Sequence, residues 1–429
     1  MPAFGPTGTY TSRMTGSGGG ITPDHRQQSC GSMGCRLRFL VGKGRHPKEA
    51  LELDGEKVCF TYLGRNAVWQ AVRALDLRGG DEILVPSYNC GSEIDPLVHY
   101  GLDVVPYRVL RSTQIDVDDL EKRISDRTKA VYITHFFGFP QELDAALRLC
   151  GTRGLGLIED CALGLFSRQD GVRLGMRGDV AVFSFRKTLP LPDGGALTLN
   201  DPKLRSTSPQ ECPPSGRVLG ALLPLALRPL CSRLGFIGDV AGSAYHAVQR
   251  AASRLSRIHG RVDDAGPSHV WVAGSKRPVL CREDCYDHRT SKWMMSSISR
   301  RILGHINATE VVERRRGNFL YLLDALRAVP GLEPLFPGLP DGICPVVFPV
   351  LTENRDELCI RLWKMKISAI AWWAGYHPMV NWQEFPDACY LKDHVTALPV
   401  HQDLDKRHMS YMARCVRDSL ALSREGEGL

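Results

Sequence analysis

Between residues 57 and 199 short apolar runs alternate with stretches whose apolar residues recur at helical spacing. No other feature constrains the fold as tightly. Val58-Cys59-Phe60-Thr61-Tyr62 is a strand, and Ala67, Val68, Ala71, Val72 and Leu75 then mark one helix face. Gly79-Gly80-Asp81 turns the chain into the apolar strand Glu82–Pro86; a helical stretch over 92–100 leads to Asp103–Tyr107. A capped helix is expected from Asp116 to Ile124, a buried strand at Ala130–Thr134 and a helix from Glu142 to Cys150. Gly156-Leu157-Ile158-Glu159-Asp160, Asp179–Ser184 and Ala196–Leu199 complete the set of strands. Parallel strands need a crossover between them, and helices supply it. The pattern therefore predicts an α/β fold with a largely parallel sheet, whose ligands bind at the carboxyl ends of the strands.

Around this core the chain divides into four parts. Residues 1–40 read as a flexible tail, rich in Gly, Ser, Thr and Pro and without the apolar core of a signal peptide. Residues 41–200 form the large α/β domain, 201–300 a helical insertion of unknown role, and 301–429 a small α+β domain. In the insertion, Leu219–Leu234 is apolar with Arg228 and Arg233 set in it, and Ala241–Ile258 has the pattern of a basic amphipathic helix. Packing on the body or on a second subunit is the preferred reading over attachment to a membrane surface. In the last part we expect a long helix over 305–328, strands at Ile343–Leu351 and Ile367–Trp372, and helices at Arg355–Lys364 and Leu404–Arg417.

Composition removes several function classes. With 43% hydrophobic and 24% charged residues, the 429-residue chain can build a core and is not disordered as a whole. No apolar run reaches the roughly 20 residues of a spanning helix. The net charge of +7 is not gathered into a basic motif, so no nucleic-acid partner is expected; Arg314-Arg315-Arg316 reads as a solvated helix face. The 14 cysteines are scattered in a chain large enough to need no staples, which fits reduced thiols in the cytoplasm. Cys281, Cys285 and His288 miss the usual zinc spacings, and no metal is expected.

Three features lie at strand ends in the order anion loop, acid, lysine. Gly64-Arg65-Asn66-Ala67 opens a helix directly after a strand, where free N–H groups and the helix dipole favour an anion. An ordinary strand-to-helix turn has the same look. Asp160 ends an apolar strand, where a carboxylate serves as a helix cap or pairs with a pyridine nitrogen. Lys187 follows the strand ending at Ser184 and precedes Asp193-Gly194-Gly195, a loop that lets the backbone approach a ligand. A partly desolvated amine there becomes a nucleophile toward an aldehyde.

In this order the residues resemble the DegT/StrS family of pyridoxal-phosphate sugar aminotransferases. The resemblance is clear over 57–201 and fainter over 290–420. It rests on Gly80–Ser87, Ile158-Glu159-Asp160-Cys161-Ala162, Gly178-Asp179, Phe183-Ser184-Phe185 and Gly194-Gly195-Ala196. His135 with Gly138, Asp144 and Leu398-Pro399-Val400-His401 add to it. It implies pyridoxal-phosphate transferase fold type I, with 41–200 as the cofactor-binding domain. Lys187 would bind the aldehyde and move the proton, and Asp160 would hold the pyridine nitrogen. Gly64, Arg65, Asn66 and Ser184 would lie around the phosphate. The family's ring-stacking aromatic falls on Cys90, with Tyr88 beside it as a substitute. Asn200 matches an asparagine that reaches the neighbouring subunit's phosphate, implying a homodimer with shared sites.

The activity so implied moves an amino group from an amino acid, glutamate by expectation, to a nucleotide-linked keto sugar. Two alternatives stand beside it: a pyridoxal-dependent sugar dehydratase or lyase, and a non-catalytic binding protein that kept the fold. Leu163, where the family has Gln or His, leaves the former open; Lys187 speaks against it.

Overall fold

The computed structural model describes Met33 and residues 45–53, 57–205, 208–233, 269–270, 279–280 and 286–426. The tail expected over 1–40 (Met33 apart), the helix expected at Ala241–Ile258, and Cys281 and Cys285 lie outside these residues.

A seven-stranded sheet organises the first half. In chain order its strands are β1 (Lys57–Thr61), β2 (Glu82–Pro86), β3 (Asp103–Tyr107), β4 (Thr128–Thr134) and β5 (Gly156–Asp160). A small hairpin, β6 (Arg168–Gln169) and β7 (Val172–Arg173), precedes β8 (Val180–Ser184) and β9 (Gly195–Leu199). The spatial order is β1-β9-β8-β5-β4-β2-β3. The β3-β2-β4-β5-β8 run is parallel, and β9 and β1 close one edge antiparallel. Strands 2, 4 and 5 are buried almost throughout, as expected where helices cover both faces.

The helix after β1, α2 (Gly64–Ala74), follows the short α1 (Pro47–Ala50) and packs on β8 and β9 through Ala67, Val68, Ala71 and Val72. Small α3 (Asp95–Tyr100) and α4 (Val117–Lys122) and the longer α5 (Leu143–Arg153) provide the other crossovers. The first of these starts at Asp95 rather than at 92, and Asp116 caps α4 by accepting the Asp119 N–H at 3.0 Å.

The second half carries a four-stranded sheet in which Val347–Leu351 and Val395–Pro399 pair antiparallel. Helices Ala308–Leu326, Arg355–Lys364, Pro386–His394 and Lys406–Gly426 surround it. One apolar cluster runs from Leu84, Tyr88 and Phe136 of the large sheet into Phe319, Phe348 and Leu398, so the two sheets share a core.

Several expectations are corrected here. The strand expected from Ile343 starts at Val347, because the Pro345 and Val346 carbonyls turn away to accept from Arg315 Nη1 at 3.1 and 2.9 Å. Arg315 is therefore no part of a solvated face: it is fully buried and also reaches the Thr188 carbonyl at 2.9 Å. The strand expected over 367–372 shrinks to Ile370–Ala371, and the closing helix starts at Lys406 and runs to Gly426. The insertion is not all helix. Ser215–Arg233 is one, but 286–296 returns to the body, where Asn66 Nδ2 donates to Thr290 Oγ1 (2.9 Å) and Gln70 Nε2 to the Ser291 carbonyl (3.1 Å). No described helix is long and apolar enough to cross a membrane, and Cys59, Cys90, Cys150, Cys161, Cys212, Cys344, Cys359, Cys389 and Cys415 are free thiols.

Candidate active site

The parallel strands end together, and their register sets the site. Thr134 of β4 stands beside Asp160 of β5, and Asp160 beside Val182 of β8. Two residues further along β8, Ser184 faces Gly195 of β9. Lys187 follows in a short turn, Phe185–Lys187, half-buried.

Asp160 is buried and accepts one hydrogen bond on each oxygen: from the Tyr132 hydroxyl at 2.9 Å and from the Ala162 N–H at 2.8 Å. A carboxylate offers about four acceptor directions, so room remains for another donor. Burial raises its pKa; the Lys187 ammonium opposes that rise, while the Glu93 charge adds to it. Lys187 and Asp160 are thus close enough to feel each other's charge inside the protein. Glu93 belongs to the same neighbourhood. It accepts the Cys90 N–H at 3.0 Å and the Cys90 thiol at 2.8 Å, and burial followed by the Glu93 charge pushes that thiol up to about 12.

At the other end of the site the N-terminus of α2 meets the end of β8. A Cβ on Gly64 would come within 2.8 Å of Ser184 Cβ, and one on Gly195 within 2.6 Å of the Gly64 nitrogen. Both positions therefore demand glycine, and the resulting close approach brings the first N–H groups of α2 against Ser184. A helix N-terminus approached this closely by backbone favours an anion. Arg65 is half-buried beside this terminus, and its charge reaches the Tyr286 hydroxyl. Asn66 is committed elsewhere: its Oδ1 accepts the Leu63 N–H at 3.0 Å, capping the helix, while Nδ2 holds Thr290.

The remaining candidates divide. Tyr88 is fully buried, its ring 5.4 Å from Phe136 and 5.1 Å from Trp373. Cys90 lies near Lys187, whose charge acts on its thiol. Asn200 does not join them. It follows Leu199, which pairs with Val180 at the opposite end of β8 from Ser184, and its Nδ2 donates to the Gly175 and Gly178 carbonyls at 2.7 and 2.8 Å.

Three residues at this site were missed from sequence. Tyr132 looks like one more aromatic in a buried strand; Glu93 and Trp373 are brought in by loops. A Tyr two residues before a strand's end, on the same face as a neighbouring strand's terminal Asp, is the available signal for the first. Beside the site, His135, Glu159 and Cys161 hold ligand-type atoms within 4.8 Å of one another. The His135 and Glu159 atoms are taken: His135 Nε2 meets Glu159 at 2.9 Å, and His135 Nδ1 accepts the Gln141 N–H.

The sequence model of the DegT/DnrJ/EryC1/StrS aminotransferase family matches residues 55–209. GDP-perosamine synthase of Vibrio cholerae is 34% identical over 140 residues, 32% of this chain and 38% of that protein. The dTDP-4-dehydro-2,3,6-trideoxy-D-glucose 4-aminotransferase of Saccharopolyspora spinosa is 36% identical over 179 residues, 40% of this chain and 45% of that protein. The matched segments thus span less than half of either relative. Among solved structures, Helicobacter pylori PseC, an aminotransferase involved in the biosynthesis of pseudoaminic acid, superimposes with a TM-score of 0.63 at 19% identity, covering 92% of this chain and 99% of that one. DesV of S. venezuelae does so with a TM-score of 0.55 at 22% identity, covering 84% of each. Residues 55–209 are thus similar to the DegT/DnrJ/EryC1/StrS aminotransferase family, and the described residues share the fold of these solved aminotransferase structures.

Proposed function

We propose that the chain is a pyridoxal-phosphate-dependent aminotransferase that moves an amino group from an amino acid, glutamate by expectation, to a nucleotide-linked keto sugar. The observation that carries this reading is the convergence of Lys187, the buried Asp160 and the glycine-built cradle at Gly64, Ser184 and Gly195 on one edge of the sheet. The named relatives, which act on GDP- and dTDP-linked sugars, support the substrate class.

The residues fit the cofactor at three points. The cradle at the start of α2 suits its phosphate, the open acceptor positions of Asp160 suit a protonated pyridine nitrogen, and the Lys187 amine suits its aldehyde. When bound, pyridoxal phosphate supplies an electron sink for the carbon that gains or loses the amino group. The protein does the rest. The Asp160 carboxylate would face the ring nitrogen, with Tyr132 fixing one oxygen and the Ala162 N–H the other. Lys187 is close enough to that charge to be held in place, and it is the base that carries the proton at the substrate carbon. Trp373, packed against Tyr88 and Phe136, covers part of the half-buried amine, its ring 6.0 Å from it. We also read the working form as a cytoplasmic homodimer, on the family resemblance; light scattering of the purified chain tests the dimer.

The decisive experiment adds pyridoxal phosphate to the purified protein and records its visible spectrum, then screens glutamate-dependent amination of nucleotide keto sugars by mass. A lysine-bound chromophore that shifts with glutamate, and a product carrying nitrogen in place of the keto oxygen, are expected. No chromophore, or one that survives Lys187→Ala unchanged, sinks the assignment.

A further inference from the structure

Lys392 is an unusual residue. It is fully buried, yet no carboxylate accepts from it in the described hydrogen bonds. Instead its three N–H groups go to three backbone carbonyls: Asn89 at 2.6 Å, Trp373 at 2.9 Å and Gly375 at 2.8 Å. Its charge also lies 4.8 Å above the Trp382 ring. Three acceptors match the three donors of an ammonium, so the group acts as a knot. The knot ties two distant parts of the chain. Asn89 follows the end of β2 in the large sheet, one residue before Cys90; Trp373 and Gly375 belong to the loop after the edge strand Ile370–Ala371 of the small sheet. A second tie runs parallel to it, from His377 Nε2 to Asp95 at 3.2 Å.

The residue placed by these ties is Trp373. Its φ is +49°, a left-handed backbone that a bulky residue adopts only when its surroundings enforce it. The indole is half-buried, packs 5.1 Å from Tyr88 and 5.8 Å from Phe136, and presents its face 6.0 Å from the Lys187 ammonium. The face of an indole is electron-rich. A pyranose ring offers the matching surface, a patch of positively polarised C–H groups, whereas an amino-acid donor such as glutamate offers charges.

We propose that Trp373 is a specificity-determining residue for the sugar acceptor, with Lys392 as the positioning residue that holds it at Lys187. The sugar ring lies against the indole, and the donor gains nothing from it. This inference rests on the aminotransferase reading above, and the two fail in different ways: that reading fails in the unmodified protein, as a missing lysine-bound chromophore.

The test uses the full chain without added cofactor. Calorimetry compares UDP-, GDP- and dTDP-glucose, each against its free nucleoside diphosphate, so that the sugar's own contribution is isolated. In the unmodified protein at least one pair should differ by about fivefold, the scale of a single aromatic contact. Trp373→Ala should erase that difference and leave diphosphate affinity unchanged, and Trp373→Phe should keep most of it. Lys392→Met should behave like Trp373→Ala if it folds, and the Trp373 variants decide the matter if it does not. With turnover, Trp373→Ala should raise KM for the keto sugar several-fold and leave KM for glutamate unmoved. Persistence of the sugar increment in Trp373→Ala, its absence for all three pairs in the unmodified protein, or equal loss for sugar and diphosphate overturns the proposal.

Discussion

Two buried carboxylates stand side by side at the end of β5 and live in opposite surroundings. Glu159 faces the turn at 175–178, where it accepts the N–H groups of Gly175 at 3.1 Å, Arg177 at 2.7 Å and Gly178 at 2.5 Å, besides meeting His135. Burial works against its charge, but the hydrogen bond and charge of His135 and the Gly178 and Arg177 N–H groups outweigh it and hold the pKa below the usual range. Asp160 lies toward Lys187 with half as many donors, and burial wins: its pKa rises. The strand alternation alone sends the two to different faces. One carboxylate is fully satisfied and holds a turn; the other is left under-satisfied, a state that costs stability and leaves it able to bind something.

The sharpest way to break this comparison is to remove the chemistry. Lys187→Ala and Asp160→Asn should each lower amination by at least about a hundredfold, the lower end of what a positioned proton-transfer group contributes, as read from steady-state rates. Either variant keeping near-normal turnover would place the chemistry elsewhere. Next comes the turn. Glu159→Ala strands three backbone N–H groups and His135 in the interior, and should destabilise the chain by about 3–5 kcal/mol in urea unfolding. Asp160→Asn should change stability by no more than about 1 kcal/mol, on the favourable side, because it removes a poorly satisfied buried charge. A large loss in the Asn variant would erase the contrast.

Gly64→Ala probes the cradle. The new methyl must displace Ser184, at a cost of about 1–3 kcal/mol, seen mainly as weaker pyridoxal-phosphate binding in a spectral titration. The smallest effect is a difference in pH dependence. Glu159 has a folded pKa below its unfolded value of about 4.3, so the stability it confers is present above that pH and is lost as pH falls through the folded pKa. Asp160 has the reverse sign. Its contribution is complete below about pH 3.9 and is lost as pH rises through its elevated folded pKa. Comparing the acid unfolding of Glu159→Gln and Asp160→Asn with the unmodified chain separates the two: the first should flatten the acid limb and the second steepen it.

The large sheet was legible because each of its strands is a short apolar run bounded by turns, and the helix positions follow from one-sided apolar spacing. The same rule misjudged the small sheet. Ile343–Val346 is as apolar as a strand, yet a buried arginine claims two of its carbonyls, and nothing local to 343–346 announces Arg315. Arg315 itself looked solvated because its neighbours Arg314 and Arg316 are charged; the helix period turns it alone fully into the interior. The positions of Lys187, Asp160 and Gly64 at or just after strand ends were readable. Asn66, expected around the phosphate, lies in the first turn of α2, where its amide caps the helix, a role open to any Asn at the third position of a helix. Trp373 and Lys392 carried no signal, since one sits in a loop and the other, in Pro386–His394, finds its partners on backbone carbonyls elsewhere in the chain.

The sequence by itself determined the strand-helix alternation, and with it the parallel sheet, the acid that ends one strand and the amine that follows another, because these depend on local period and on the few residues that close each element. Only the tertiary structure decided which polar groups meet. Tyr132 on Asp160, the glycine contact of α2 with β8, and the Lys392 knot that carries Trp373 to Lys187 each join segments far apart in the chain, and buried polar groups find partners through space rather than along the sequence.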